Sequence, residues 1–275
     1  MTAMPVSNAL SIGAILISLG VAGYSFWSNQ ETPPPPPAEP EVVVEQPEAE
    51  TLERADVEKI VHEYLLENPT LLIEVQQALE KKQEEERLVA QQIALTENKD
   101  KIFGSEYQVE IGDPNAPITI VEFYDYNCGF CQRALGDMQK FVAEDKDVKF
   151  ILKEFPVLGE ASLDAHKVSL AFSKLMPEKA EEFHNVLLSA PGRKDGEMAI
   201  ELAVKLGADR DAITSEIDKP YILDAIKEVY AIADSLGITG TPSYVVGDEV
   251  VFGAVGHTAL NQKVTAIREC GKATC

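Results

Sequence analysis

The chain has 275 residues, 45% of them hydrophobic and 25% charged, with 24 Lys and Arg against 46 Asp and Glu for a formal net charge of −22. That composition excludes a fully disordered chain, a collagen-like fibre and a polytopic membrane protein, and it leaves room for one or two domains with a sizeable core. It also sets nucleic acid aside as a partner, because binding a phosphate backbone needs clustered Lys and Arg.

The charge is unevenly spread. Residues 1–30 carry no charged side chain, whereas 31–100 hold 18 acids against 6 bases. Ala9 to Trp27 is an uncharged, largely apolar run that as a helix would span about 28 Å, near the thickness of a bilayer core. Tyr24, Phe26 and Trp27 at its end suit the membrane interface. Residues 1–30 therefore read as a transmembrane anchor, the alternative being a signal segment cleaved near Ala22 and Gly23. Either reading sends the rest of the chain to the periplasm or cell envelope. In the first it is held at the inner membrane by residues 9–27; in the second it is released.

Residues 31–50 contain the five-proline run Pro33 to Pro37, then Pro40, Pro47 and scattered glutamates. Such a stretch predicts an extended linker with too few apolar groups to fold. Residues 51–99 are helical in pattern. Val57, Ile60, Val61, Tyr64 and Leu65 form one apolar face, and Leu72, Val75, Leu79, Val89 and Ile93 form a second. Between them Asn68 reads as an N-cap with Pro69 at the first helical position. Two amphipathic helices must bury those faces, either against the remaining domain or against copies of themselves. Self-association is the favoured reading, making 51–99 an oligomerisation segment.

The chemistry lies in residues 100–275. Ile118 to Tyr124 is a buried-strand pattern that leads through Asp125, Tyr126 and Asn127 into Cys128-Gly-Phe-Cys131, and Gln132 to Glu144 has helical composition. Cys128 should sit at a helix N-terminus, where amide N–H groups and the helix dipole favour a thiolate, with Cys131 one turn inside. Such a pair performs thiol–disulfide exchange, with Cys128 as nucleophile and Cys131 as the resolving thiol. Asp125 and Tyr126 read either as shaping a peptide groove or as packing residues. Further on, Ser243 to Val246 and Val250 to Phe252 read as a hairpin about Gly247-Asp248, and a last helix runs from about Thr258 to Cys270. Cys270 and Cys275 read as a structural disulfide. A second redox pair and a four-thiolate zinc site with Cys128 and Cys131 are weighed against it.

The stretch Val121 to Cys131 resembles the active site of the DsbA-like disulfide oxidoreductases, and Gly237-Ile-Thr-Gly-Thr-Pro-Ser-Tyr244 resembles the family loop that faces it. The resemblance covers about residues 100–275 and implies an α/β thioredoxin fold, interrupted by a helical insertion at about 157–236. It implies that Pro242 is cis and that the backbone of Thr241 meets an extended peptide substrate. Gly129 and Phe130, between the cysteines, join these as substrate-contacting positions. The family also places a buried acid at Glu122, an otherwise costly residue in an apolar strand whose alternative is a solvent-facing edge position. Lys153 sits where relatives carry a lysine paired with that acid, so Glu122 and Lys153 are expected to form a proton-handling pair. The dipeptide Gly129-Phe130 lacks the histidine of some relatives, which removes one source of thiolate stabilisation. Residues 51–99 are similar to the N-terminal segment of the ScsC-type branch.

No cofactor and no metal are expected. His62, His166, His184 and His257 lack ligand spacing and read as surface or half-buried helix residues. The functional reading is exchange on cysteine-containing protein substrates, leaning to an oligomeric isomerase or reductase served by a membrane redox partner. A dithiol oxidase is the first alternative, and a non-catalytic envelope binding protein with a structural cysteine pair is the second.

Overall fold

A computed structural model describes residues 52–275. The expected anchor or signal segment (1–30) and linker (31–50) lie outside the described residues. Among the described residues, no helix is long and apolar enough to cross a membrane. The chain divides into two units, Met1–Lys59 and Ile60–Cys275, so the second unit takes in most of the segment that the sequence sets apart as 51–99.

Five strands form one mixed sheet in the order β1-β3-β2-β4-β5. They are β1 (Val109–Ile111), β2 (Ile118–Tyr124), β3 (Val148–Glu154), β4 (Ser243–Val246) and β5 (Glu249–Phe252). The two central strands, β2 and β3, run parallel, and the β1–β3, β2–β4 and β4–β5 pairs are antiparallel. The parallel pair requires a crossover, supplied by α4 (Gly129–Glu144). That helix presents Cys131, Ala134, Leu135, Met138 and Phe141 at three- and four-residue steps to the sheet. Five further helices lie between β3 and β4: α5 (Glu160–Leu175), α6 (Ala180–Ser189), α7 (Gly196–Lys205), α8 (Arg210–Glu216) and α9 (Pro220–Ser235). Asp195 and Asp209 begin α7 and α8 as N-caps, their side chains accepting from Met198 N and Ala212 N. The chain ends in α10 (His257–Cys270).

Strand alternation gives the sheet two different faces. Ile120, Tyr124, Phe150, Leu152 and Tyr244 point into one core with α4, α10 and the first insertion helices. Val121, Phe123, Ile151 and Val245 point into a second core, covered by α9, α3 (Lys99–Gly104) and the end of α2 (Thr70–Glu97). The β4–β5 turn is Gly247-Asp248. Gly247 adopts φ 59°, a conformation that favours glycine, and a Cβ there would lie 3.0 Å from Ile267.

The N-terminal helices are α1 (Arg54–Glu67) and α2, which runs for 28 residues. Asn68 does not cap α2; its Nδ2 donates to Tyr64 O at the end of α1. The face of α2 that docks on the domain is not the apolar stripe read from the sequence. Gln91, Ala94 and Leu95 are buried, and Gln91 Nε2 donates to Leu236 O at 2.8 Å. Leu72, Val75, Leu79, Val89 and Ile93 remain exposed. Ala94 and Leu95 join the second core beside α3 and α9, and the larger apolar side chains of the stripe face outward.

Candidate active site

Strand β2 ends at Tyr124, and the chain turns through Asp125, Tyr126 and Asn127 into Cys128, the N-cap of α4. Cys128 N donates to Asp125 O at 3.0 Å, which closes the turn. Both motif cysteines are free thiols, Cys131 fully buried and Cys128 nearly so. The Cys131 thiol beside it is the main influence lowering the Cys128 pKa, joined by Thr241 and the amide N–H groups of Cys131 and Phe130. Burial opposes them, and the Cys128 thiol settles at about 5. The same pairing with Cys128, reinforced by burial, pushes the Cys131 thiol far above the ordinary range. One sulfur is thus a thiolate at neutral pH, while the other keeps its proton.

The Thr241–Pro242 peptide is cis, and Thr241 O lies 3.2 Å from Cys128 Sγ. Pro242 O accepts from Gly253 N, tying the loop to the end of β5. Phe130 projects outward, 58% exposed, and the Arg133 guanidinium lies over its ring at 4.2 Å. Arg133 Nη1 also lies 3.9 Å from the place a side chain at Gly129 would take. The sequence reading gave Arg133 no role; its position one turn after Gly129 on a helix was the available signal.

Glu122 is 4% exposed and points into the same core as the cysteines, in register with Leu152 on one side and Tyr244 on the other. Burial first, then the charges of Cys128 and Asp137, push its carboxyl up to about 8. It is a buried interior acid and not an edge residue.

Lys153 is not its partner. Lys153 pairs in register with Phe123, one residue on from Glu122, so the two side chains leave opposite faces of the sheet. Lys153 Nζ instead donates to Lys101 O at 2.7 Å and to Gln108 Oε1 at 2.8 Å, and burial lowers its pKa to about 8. The expected Glu122–Lys153 pair is therefore corrected to a lone carboxyl behind the thiols and a lysine that pins α3 on the far side.

Cys270 and Cys275 are bonded to each other, which removes the four-thiolate arrangement. Their short loop places Ala273 N against Asp248 Oδ1 at 2.8 Å, fastening the tail to the β4–β5 turn. Among the described residues, no group of three His, Cys, Asp or Glu side chains is placed to hold a metal ion.

Two histidines depart from their reading as surface or half-buried residues. His166 and His184 are buried against Tyr124 and Tyr126, directly behind the Cys128 turn. Burial lowers His184 to about 4, so it is neutral.

Comparison with known proteins agrees with this geometry. A DSBA-like thioredoxin domain matches residues 119–265, and a copper resistance protein ScsC N-terminal domain matches 53–86. A thioredoxin-like oxidoreductase from Silicibacter pomeroyi is 33% identical in a superposition covering 63% of this chain and 99% of that one, with a TM-score of 0.60. The thiol-disulfide exchange protein alpha-DsbA2 from Wolbachia pipientis is 31% identical, covering 66% and 97%, with a TM-score of 0.61. ScsC of Proteus mirabilis, in a transitional conformation, is 28% identical, covering 79% and 96%, with a TM-score of 0.56. Among curated proteins, a Na(+)/H(+) antiporter NhaA of Salinispora arenicola is 23% identical over 164 residues, and this chain spans about a quarter of its length, 24%.

Proposed function

This chain belongs to the DSBA-like thioredoxin-domain family of thiol:disulfide oxidoreductases, and from that premise we propose that it exchanges disulfides with protein substrates through Cys128 and Cys131, as an isomerase or reductase. The observation that carries the exchange reading is the placement of Cys128 at the N-cap of α4, with Thr241 O of the cis Thr241–Pro242 loop 3.2 Å from its Sγ and Cys131 buried one turn inside. A merely structural pair, as in a non-catalytic binding protein, has no use for a helix terminus and a facing cis-proline loop at one sulfur.

In the proposed sequence, the Cys128 thiolate attacks a substrate sulfur, forming a mixed disulfide and releasing the second substrate sulfur as a thiolate. The backbone of Thr241, already beside Cys128, holds the substrate as an added strand, with Pro242, Gly129 and Phe130 completing the surface. Resolution needs Cys131 to lose its proton. The ionised form of Glu122, a minority at neutral pH because its pKa is near 8, receives it. The Cys131 thiolate then attacks Cys128 Sγ, leaving the Cys128–Cys131 disulfide and a reduced substrate. A membrane redox partner returns the pair to the dithiol.

The lean to isomerase rests on residues 51–99. The match to an ScsC N-terminal domain coincides with a solvent-facing row that includes Ile60, Leu72, Val75 and Leu79, and such a row suits self-association. Several active sites in one assembly can hold a misfolded chain while its bonds reshuffle. We further propose that residues 9–27 anchor the chain at the outer face of a cytoplasmic membrane, consistent with the Cys270–Cys275 disulfide. The oxidase reading has one observation in its favour: a stabilised Cys128 thiolate favours the reduced form, which makes the disulfide more oxidising.

The deciding experiment is reactivation of a scrambled disulfide substrate by the full chain and by a Leu72→Glu, Leu79→Glu variant. Isomerase function predicts activity that falls with the oligomer. No reactivation by either, with rapid oxidation of a reduced substrate, would assign an oxidase.

A further inference from the structure

The turn that carries Cys128 is held from behind by one face of α5. Ser162, His166 and Ser169 follow each other at four and three residues, so they share a stripe, and all three are buried. Buried polar side chains persist only when they are satisfied, and each of these is satisfied by the approach to the motif.

Ser162 Oγ donates to Asp125 Oδ1 at 2.7 Å and accepts from Asn127 Nδ2 at 3.0 Å. Asp125, itself fully buried, also accepts from Asn127 N at 2.7 Å and Leu158 N at 3.0 Å. His166 Nε2 accepts the Tyr126 N–H at 3.3 Å. That bond makes Nδ1 the protonated nitrogen, and Nδ1 donates to Glu154 Oε2. Ser169 Oγ donates to the other Glu154 oxygen at 2.7 Å and accepts from Tyr126 Oη at 2.7 Å. From the insertion's far side, Asn127 clamps Lys194 with both a donated and an accepted bond of 2.8 Å. The titratable groups facing the cluster are Glu154 of β3, His184 of α6, Tyr124, Tyr126, Asp125 and Lys194.

Three consecutive residues, Asp125, Tyr126 and Asn127, are therefore each gripped by the insertion, and the next residue is the nucleophile. None of the gripping side chains is bonded to sulfur. What they fix is the turn in which Asp125 O accepts Cys128 N, and with it the place of Sγ at the start of α4.

We propose that the Ser162–His166–Ser169 stripe is a positioning rail for the redox motif, with His166 the positioning residue at its centre. It does more than pack the insertion onto the sheet: it sets how well the helix terminus stabilises the Cys128 thiolate. The proposal rests on the reading of Cys128 as the nucleophile.

The test is the pH dependence of Cys128 alkylation by iodoacetamide in the reduced full chain, with the modified site identified by mass spectrometry. The variants are His166→Leu, His166→Gln and Ser162→Ala, each also melted thermally. The parent should show a midpoint near pH 5. His166→Leu removes both the acceptor for Tyr126 N and the donor to Glu154, and should raise that midpoint by about one pH unit, the size of one helix-terminus interaction. His166→Gln, which keeps an acceptor and a donor, should return toward the parent. Ser162→Ala should move the midpoint in the same direction as His166→Leu, and it decides the matter if His166→Leu does not fold. Profiles that superimpose on the parent while melting temperatures fall would overturn the rail and leave only packing. An ordinary thiol midpoint in the parent would remove the nucleophile reading and the rail together.

Discussion

Replacing Glu122 by Gln probes the carboxyl behind the dithiol on two independent scales. Folding raises its pKa from an ordinary 4.5 to about 8, so the folded chain holds this proton more tightly than the unfolded chain does. Its contribution to stability is complete below the unfolded value and is lost as pH climbs toward the folded one. At about 1.4 kcal/mol for each tenfold in proton binding, the loss between about pH 5 and pH 8 comes to about 4 kcal/mol. Gln has nearly the same shape and does not titrate. The stability of the variant relative to the parent should therefore grow by that amount across the interval. Taking the difference between the two proteins removes the Cys128 contribution apart from its coupling to Glu122; folding lowers the Cys128 pKa from 9.0 to about 5, so its stabilisation grows with pH over that range. Urea denaturation of both reduced proteins at several pH values measures the difference. A difference that stays constant with pH would refute the placement of a neutral carboxyl in that core. On the kinetic scale, Gln cannot accept the Cys131 proton. Release of a mixed disulfide should slow by about 100-fold near neutral pH while the first attack by Cys128 is unchanged. An unaltered release rate would end the catalytic role of Glu122.

Three further outcomes follow from the same geometry. Lys153→Met removes the donor to two part-buried acceptors, Lys101 O and Gln108 Oε1, and should cost about 1 kcal/mol in denaturant unfolding. Because Lys153 faces away from Glu122, the exchange rate should not change, and a slowing like that of Glu122→Gln would reinstate the pair. Cys270→Ser with Cys275→Ser opens a loop with a sequence separation of 5 and should lower stability by about 2 kcal/mol without altering exchange, a result read by paired melting and insulin-reduction assays. Loss of exchange in that variant would mark the tail pair as redox-active. Arg133→Ala removes the cation over Phe130 and should raise KM for peptide disulfides several-fold with little effect on kcat, since the pair lies on the outer surface of the motif. A fall confined to kcat would contradict a role in holding substrate.

The catalytic core was largely legible because its signals are local. The strand read as Ile118 to Tyr124 coincides with β2, and the Gly247-Asp248 hairpin lies where the turn chemistry puts it. Cys128 falls at the start of α4 because a strand, a short turn and an amphipathic helix are each written in adjacent residues. The errors share a different cause. Which face of β3 carries Lys153 depends on its register with β2, and a shift of one residue reverses it. The docked side of α2 is not legible in the sequence, because Gln91 and Ala94 look unremarkable beside Val89 and Ile93 and only the partner surface selects them. His166 and His184 lacked metal-ligand spacing, but the informative relation was not among histidines. It was Ser162, His166 and Ser169 on one helical face, whose meaning requires Asp125 and Glu154, distant in sequence, to stand opposite.

The most direct measurement is to trap the exchange intermediate. The Cys131→Ser full chain, mixed with a peptide disulfide and digested for mass spectrometry, should accumulate a mixed disulfide at Cys128, which the parent resolves and the Cys128→Ser chain never forms. Absence of that adduct, or its appearance on another cysteine, would contradict an exchange reaction begun by the thiolate at the start of α4.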